Sequence, residues 1–203
     1  HMSDAPALKE ALRGQHVVKS DIADCVAHVG EVMVMPQPAG TIFAQTLTPA
    51  GEVNARHASR RTGVVDVGSY TVDVALDDDG QFVDAASGSL EGGVAGALDR
   101  IAAVLERDHH QKIPQALVEK TLLSGGFRAR GHVLDYREAV QEALEPLRSA
   151  TVALMGEKWG EGATLDVIYL TGGGAPLVAE AVRAVYPQVT ALPDPQFANA
   201  RGY

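Results

Sequence analysis

Apolar and polar positions change period several times along this chain, and the changes predict an alternation of helices and strands. Leu8 and Leu12 stand one helical turn apart before Gly14, which predicts a short helix over Pro6 to Gly14. From Gln15 to Met35 the β-branched residues Val17, Val18, Ile22, Val26, Val29, Val32 and Val34 predict extended chain, with Gly30 turning one strand into the next. Pro36 and Pro38 end that segment, and proline is tolerated in the first turn of a helix, where an N–H would be unpaired anyway. A helix over Ala39 to Leu47 is therefore expected, with Ile42, Phe43 and Leu47 inward. Thr48 to Arg61 is polar, holds Pro49, Gly51 and Asn54, and reads as a linker or exposed loop.

The remainder is patterned more strongly. Thr62–Val67, Tyr70–Leu76 and Gln81–Ala85 predict three strands, separated by Gly68-Ser69 and by the hairpin signal Asp77-Asp78-Asp79-Gly80. Helical spacing follows in Val94–Leu105, with Leu98, Ile101 and Leu105 on one face, and in Ile113–Leu123. Asp135-x-x-Glu138 has the form of a capping box and opens a helix to about Lys158, kinked at Pro146. Leu165–Leu170 is a strand, joined by Gly172-Gly173-Gly174 to a helix over Pro176–Val185. Strands followed by helices across glycine turns define an α/β domain.

Composition narrows the function classes. The 203 residues are 46% apolar and 21% charged, which suits one large or two small globular domains and excludes wholesale disorder. Seventeen basic against 26 acidic residues leave a formal charge of −9, and no basic stripe interrupts it, so direct nucleic-acid binding is not expected. The single cysteine, Cys25, can form neither an internal disulfide nor a zinc cage and fits a reducing, cytoplasmic setting. Short apolar runs such as Val152–Met155 and Val167–Leu170 exclude a membrane-spanning helix. His1-Met2 reads as an expression scar, so the chain is expected to be a piece of a longer protein.

Two glycine turns carry the candidate chemistry. In Asp66-Val67-Gly68-Ser69-Tyr70-Thr71-Val72-Asp73 an acidic residue ends a buried strand, where it must be solvated at a cleft, hydrogen-bonded or paired with a cation. Gly68 allows backbone N–H groups to approach an anion, and Ser69 and Thr71 add hydroxyls, a combination suited to phosphates beside Mg²⁺. A plain hairpin with Asp66 accepting turn hydrogen bonds is the alternative. In Leu170-Thr171-Gly172-Gly173-Gly174-Ala175-Pro176 three glycines strip the side chains from a strand-to-helix turn, so that a purine or ribose can lie on the backbone. Neither turn is a Walker loop or a Rossmann fingerprint.

These segments resemble a known superfamily. Val64–Asp73 is similar to the second phosphate loop of the actin/Hsp70/sugar-kinase superfamily, and Ile168–Ala175 is similar to its adenosine loop. Val34-Met35-Pro36-Gln37-Pro38 with Gly40-Thr41, and Phe197-Ala198-Asn199-Ala200-Arg201-Gly202-Tyr203 at the end, resemble the ParM-like and archaeal actin-like branch. The resemblance implies a ribonuclease H-like actin-superfamily domain, a mixed five-stranded sheet flanked by helices, with an incomplete first domain. Residues 3–61 would be the end of that first domain plus a linker, and 62–203 the second domain. It implies ATP or ADP with Mg²⁺ as ligands. Asp66 would lie near the metal through water, Gly68, Ser69 and Thr71 at the phosphates, and Gly172, Gly173 and Gly174 at the adenosine. Gln37 would position the attacking water, so Gln37 and Asp66 are the expected catalytic residues.

No Asp-x-Gly strand turn of the kind that opens the superfamily precedes Gln15, and in the superfamily that turn supplies half of the cleft. Little hydrolysis is expected from this chain alone, because positioning dominates phosphoryl transfer. The function implied is the nucleotide-binding part of a filament-forming ATPase that self-associates and engages a DNA-binding adaptor, with no nucleic acid or membrane bound directly. A small-molecule kinase of the same superfamily and a non-catalytic actin-like module are the alternatives. His109-His110 and Asp77–Asp79 read as solvated turns, and Trp159 as a cap on the core edge.

Overall fold

The computed structural model describes residues 5–19, 24–48, 50–54 and 60–202. The chain divides into two compact units, His1–Gln37 and Pro38–Tyr203.

In the first unit, helix α1 (Ala5–Leu12) precedes a hairpin of β1 (Gly14–Val18) and β2 (Cys25–Val29), paired from Gly14↔Val29 to Val18↔Cys25. Gly30 therefore follows the second strand instead of turning between two, and the Arg13 Nε–H donates to its carbonyl at 3.0 Å. The connection between the strands falls at 19–24, partly outside the described residues.

The second unit begins with helix α2 (Pro38–Thr46), close to the expected span. Strand β3 (Arg61–Val67) pairs antiparallel with β4 (Thr71–Asp78) and parallel with β9 (Val167–Thr171). Strand β10 (Val189–Ala191) extends β9 in parallel. On the other edge β4 carries both β5 (Gln81–Phe82) and β6 (Gly88–Glu91). The sheet is thus mixed, a five-strand path β10-β9-β3-β4-β5 with β6 sharing the outer edge of β4. The expected third strand to Ala85 stops at Phe82, because a 3-10 turn at Asp84–Ala86 redirects the chain into β6.

Strand alternation sorts the two faces. Val65, Val67, Val72, Val74, Leu76, Ile168 and Leu170 point into the main core with α3 (Val94–His109), α5 (Arg137–Trp159) and α6 (Ala175–Val185). Burying each such side chain contributes about 1.5–3 kcal/mol, so this face dominates stability. Val64, Val167 and Tyr169 point the other way onto Ile42 of α2.

Helix α5 is continuous across the exposed Pro146. Its two ends reach different levels. Trp159 packs over Gly63 early in β3 and donates from Nε1 to the Ala86 carbonyl at 2.8 Å, the core-edge position expected of it. Arg148 donates to the Leu177 carbonyl in the first turn of α6, and Tyr136, just before α5, meets Asp108 and His109 at the end of α3. The first eleven residues, roughly 16 Å of helix, therefore stand beyond the strand ends. They do so together with α4 (Gln115–Ser124) and the hairpin of β7 (Gly126–Ala129) and β8 (His132–Asp135).

Three local expectations change. The capping box does not form: β8 runs to Asp135, the cap position falls on Tyr136, and the Asp135 carboxylate accepts from the backbone and side chain of Arg137. Those bonds hold the Asp135 carboxyl down at about 2. Asp77 is buried, not solvated, and its carboxylate accepts the Gly80 N–H at 3.1 Å, closing the hairpin turn. His109 is half-buried with its ring 4.7 Å from that of Phe127, so it is packed instead of lying in a solvated loop. Among the described residues no helix is long and apolar enough to cross a membrane.

Candidate functional site

Strands β3 and β9 lie side by side in parallel, with Asp66 opposite Thr171, and both break at the same level into glycine turns. The two turns touch. The Gly174 N–H donates to the Val67 carbonyl at 2.9 Å, and a methyl group on Gly174 would lie 2.5 Å from the side chains of Val67 and Val94. One on Gly172 would collide with Asp66 Oδ1 and the Val67 carbonyl oxygen, and Gly172 has φ +86, where a side chain is strained. Gly172 and Gly174 thus let one turn seat on the end of β3. Gly173 is different: it is exposed, and a methyl there would meet nothing within 4 Å. It presents the open backbone of the turn.

In the other turn, α3 takes up the carbonyls. The amides of Val94, Ala95 and Gly92 donate to the carbonyls of Gly68, Ser69 and Tyr70 at 3.1, 2.8 and 2.8 Å. A trans peptide directs its N–H opposite to its C=O. With the Gly68 and Ser69 carbonyls aimed at α3, the N–H groups of Ser69 and Tyr70 face away from it. Neither donates to a backbone carbonyl among the described residues. Two successive outward amides form a concavity suited to an anion. Gly93 permits the approach, since a methyl there would lie 2.7 Å from the Ser69 carbonyl oxygen.

The carboxylates sit on one face of the strands. Asp66 is 3% exposed, and its Oδ2 accepts from Asn199 Nδ2 at 2.7 Å. Asn199 Oδ1 accepts from the hydroxyl of Thr41 in α2 at 2.6 Å. Burial pushes the Asp66 carboxyl up; the Asn199 hydrogen bond opposes this, the Asp73 charge adds to it, and the Thr171 hydrogen bond lowers it. Asp73 is the cross-strand partner of Asp66 and accepts from the Thr71 hydroxyl at 2.8 Å. The Gly68 N–H closes the hairpin on the Thr71 carbonyl at 2.8 Å.

Asp66, Gly68, Ser69, Thr71, Gly172, Gly173 and Gly174 therefore gather at one end of one sheet. Within that group the Ser69 hydroxyl, the Ser69 and Tyr70 amides and the Gly173 backbone are open, while Gly68, Thr71 and Asp66 are engaged in holding the turns. Gln37 is exposed at the end of the first unit. Sequence reasoning missed Asn199, Thr41 and Gly93. Asn199 stood inside a quoted motif, but nothing local showed that its partner lies 133 residues away. Among the described residues no three His, Cys, Asp or Glu side chains assemble as a metal cage.

A mixed sheet with two touching strand-end turns and an outlying helical lobe defines an actin-like domain. The chain matches the profile of the archaeal actin homologue MreB-like family, C-terminal domain, over residues 64–184, and belongs to that family. Among solved structures it is similar to Ta0583, an archaeal actin homolog, with 23% identity and a TM-score of 0.82, covering 100% of this chain and 64% of that one. The ADP complex of the same homolog gives 22%, 0.80, 100% and 66%. A ParM filament from Clostridium botulinum gives 20%, 0.77, 100% and 62%. The chain thus spans a little under two thirds of the first of these relatives. No curated protein matches it.

Proposed function

We propose that this chain is the nucleotide-binding second half of a filament-forming actin-like ATPase, with residues 3–61 the end of the first domain and 62–203 the second. The observation that carries the reading is the contact between the two turns, which puts the open backbone at Gly173 and the outward amides of Ser69 and Tyr70 on the same sheet end. In this reading a flat group lies over the open Gly173 backbone and a phosphate takes the outward amide pair. The ADP complex of the archaeal homolog supports the ligand class, and the ParM filament supports self-association.

Mg²⁺ would arrive with the phosphates, since the site offers hard carboxylate oxygens at Asp66 and Asp73 and, among the described residues, no cage of three such side chains forms. Asp66 would reach it through water. Gln37 would position the attacking water in the complete cleft. With phosphates contacted by these two turns alone, little hydrolysis would be expected, because positioning dominates phosphoryl transfer. Head-to-tail assembly with a critical concentration and engagement of a DNA-binding adaptor would follow from the family resemblance.

Titration calorimetry of the chain with ADP and Mg²⁺ tests the reading. A saturable heat with 1:1 stoichiometry is expected, reduced by Gly173→Val. Absence of heat at millimolar ADP would refute it.

A further inference from the structure

We infer that Asn199 and Thr41 are positioning residues of the nucleotide site, acting in series through Asp66 on the glycine turn. This rests on the nucleotide reading above and adds to it a link from the site to helix α2.

The geometry leaves the chain of contacts one direction. The Asp66 carboxylate can only accept, so Asn199 presents its NH2 to it, and this leaves Asn199 Oδ1 to accept from the hydroxyl of the completely buried Thr41. That NH2 fixes Asp66 Oδ2, and the carboxylate's other oxygen, Oδ1, then lies against Gly172, where a methyl group would collide with it. The same C-terminal segment grips the turn a second time, because the Gly172 N–H donates to the Pro195 carbonyl at 3.0 Å. The Gly172 backbone is thus held directly by Pro195 and indirectly, through Asp66, by Asn199, and Gly173, the open position, follows it directly.

The segment is itself seated on α2. A methyl group on Gly202 would lie 2.6 Å from the Gly40 carbonyl carbon and 2.9 Å from the Ala44 nitrogen. Thr41 therefore anchors Asn199 by satisfying its Oδ1, Asn199 holds Asp66, and Asp66 sets where the glycine turn rests. A ligand on the turn and a change in α2 must then affect each other reciprocally, since coupling between two positions is symmetric in free energy.

The hydroxyl of Thr41, not its shape, is the element that matters, and this separates the relay from simple packing. Thr41→Val keeps the shape and removes the donor; Thr41→Ser keeps the donor and removes the methyl. In the full 203-residue chain, ADP·Mg²⁺ affinity is expected to fall roughly threefold to tenfold in Thr41→Val, one lost neutral hydrogen bond's worth, and to stay within twofold of wild type in Thr41→Ser. Amide hydrogen exchange over Leu170–Leu177 should quicken in Thr41→Val and not in Thr41→Ser, with or without nucleotide. Asn199→Leu should reproduce the exchange change more strongly. If that variant does not fold, the Thr41 pair still decides. Wild-type affinity and wild-type exchange in Thr41→Val, or equal losses in both Thr41 variants, would overturn the relay. Failure of the wild-type chain to bind ADP would instead refute the nucleotide reading, while the exchange comparison would still test the relay.

Discussion

Adjacent glycines in the second turn should respond oppositely to the same substitution. In Gly172→Ala the new methyl enters space held by Asp66 Oδ1 and the Val67 carbonyl, with the Val67 carbonyl carbon only 2.7 Å away. Those neighbours are the end of a central strand and cannot swing aside. Overpacking of this kind costs about 1–3 kcal/mol, and a side chain at φ +86 adds about 1–2 kcal/mol. Restricting the unfolded chain returns about 0.4–1 kcal/mol. The net loss is about 2–4 kcal/mol, or roughly 5–15 °C in melting temperature for a chain of this length. Gly173→Ala has neither penalty, because nothing lies within 4 Å and its φ is not positive. It should melt within about 2 °C of wild type and lose ADP affinity instead. Trp159, the single tryptophan, packs on β3 of the same unit, so its fluorescence during urea or thermal unfolding reads the relevant transition. A Gly172→Ala protein that unfolds with the wild type, or a Gly173→Ala protein destabilised as much as Gly172→Ala, would refute the division of labour between the two positions.

Three further outcomes follow from the same geometry. Gly93→Ala drives a methyl into the Gly68 and Ser69 carbonyls, so it should cost about 2 kcal/mol in urea unfolding and weaken ADP binding several-fold; an unchanged protein would show that α3 does not hold the turn. Because the folded-state Asp66 carboxyl is raised, the native protein binds more protons than the unfolded chain between the two pKa values. The Asp66 contribution is therefore greatest at low pH and is lost as pH rises through the folded value. Asp66→Asn should flatten the fall in stability that begins above the ordinary carboxylate pKa of about 4, and parallel profiles would contradict the sign. Trp159→Phe removes the donor to the Ala86 carbonyl and should lower stability by about 1 kcal/mol by circular dichroism, with ADP affinity unchanged.

The sequence by itself determined the elements whose signal is local. The apolar runs of β3, β4 and β9, the helical stripes of α3 and α6, and the two glycine turns were legible because each depends on neighbours within a few residues. The short strands β6, β7, β8 and β10 were not, since three or four mixed residues form a strand only when a partner edge is supplied. Tertiary structure alone decided how the glycines divide their duties, because the atoms that exclude a side chain from Gly172 and Gly174 belong to β3 and α3. It also decided the environment of Asp66. A carboxylate at a strand end can be solvated, bound to a cation or hydrogen-bonded, and the choice was made by Asn199 and Thr41, residues 158 positions apart that meet only in the folded chain.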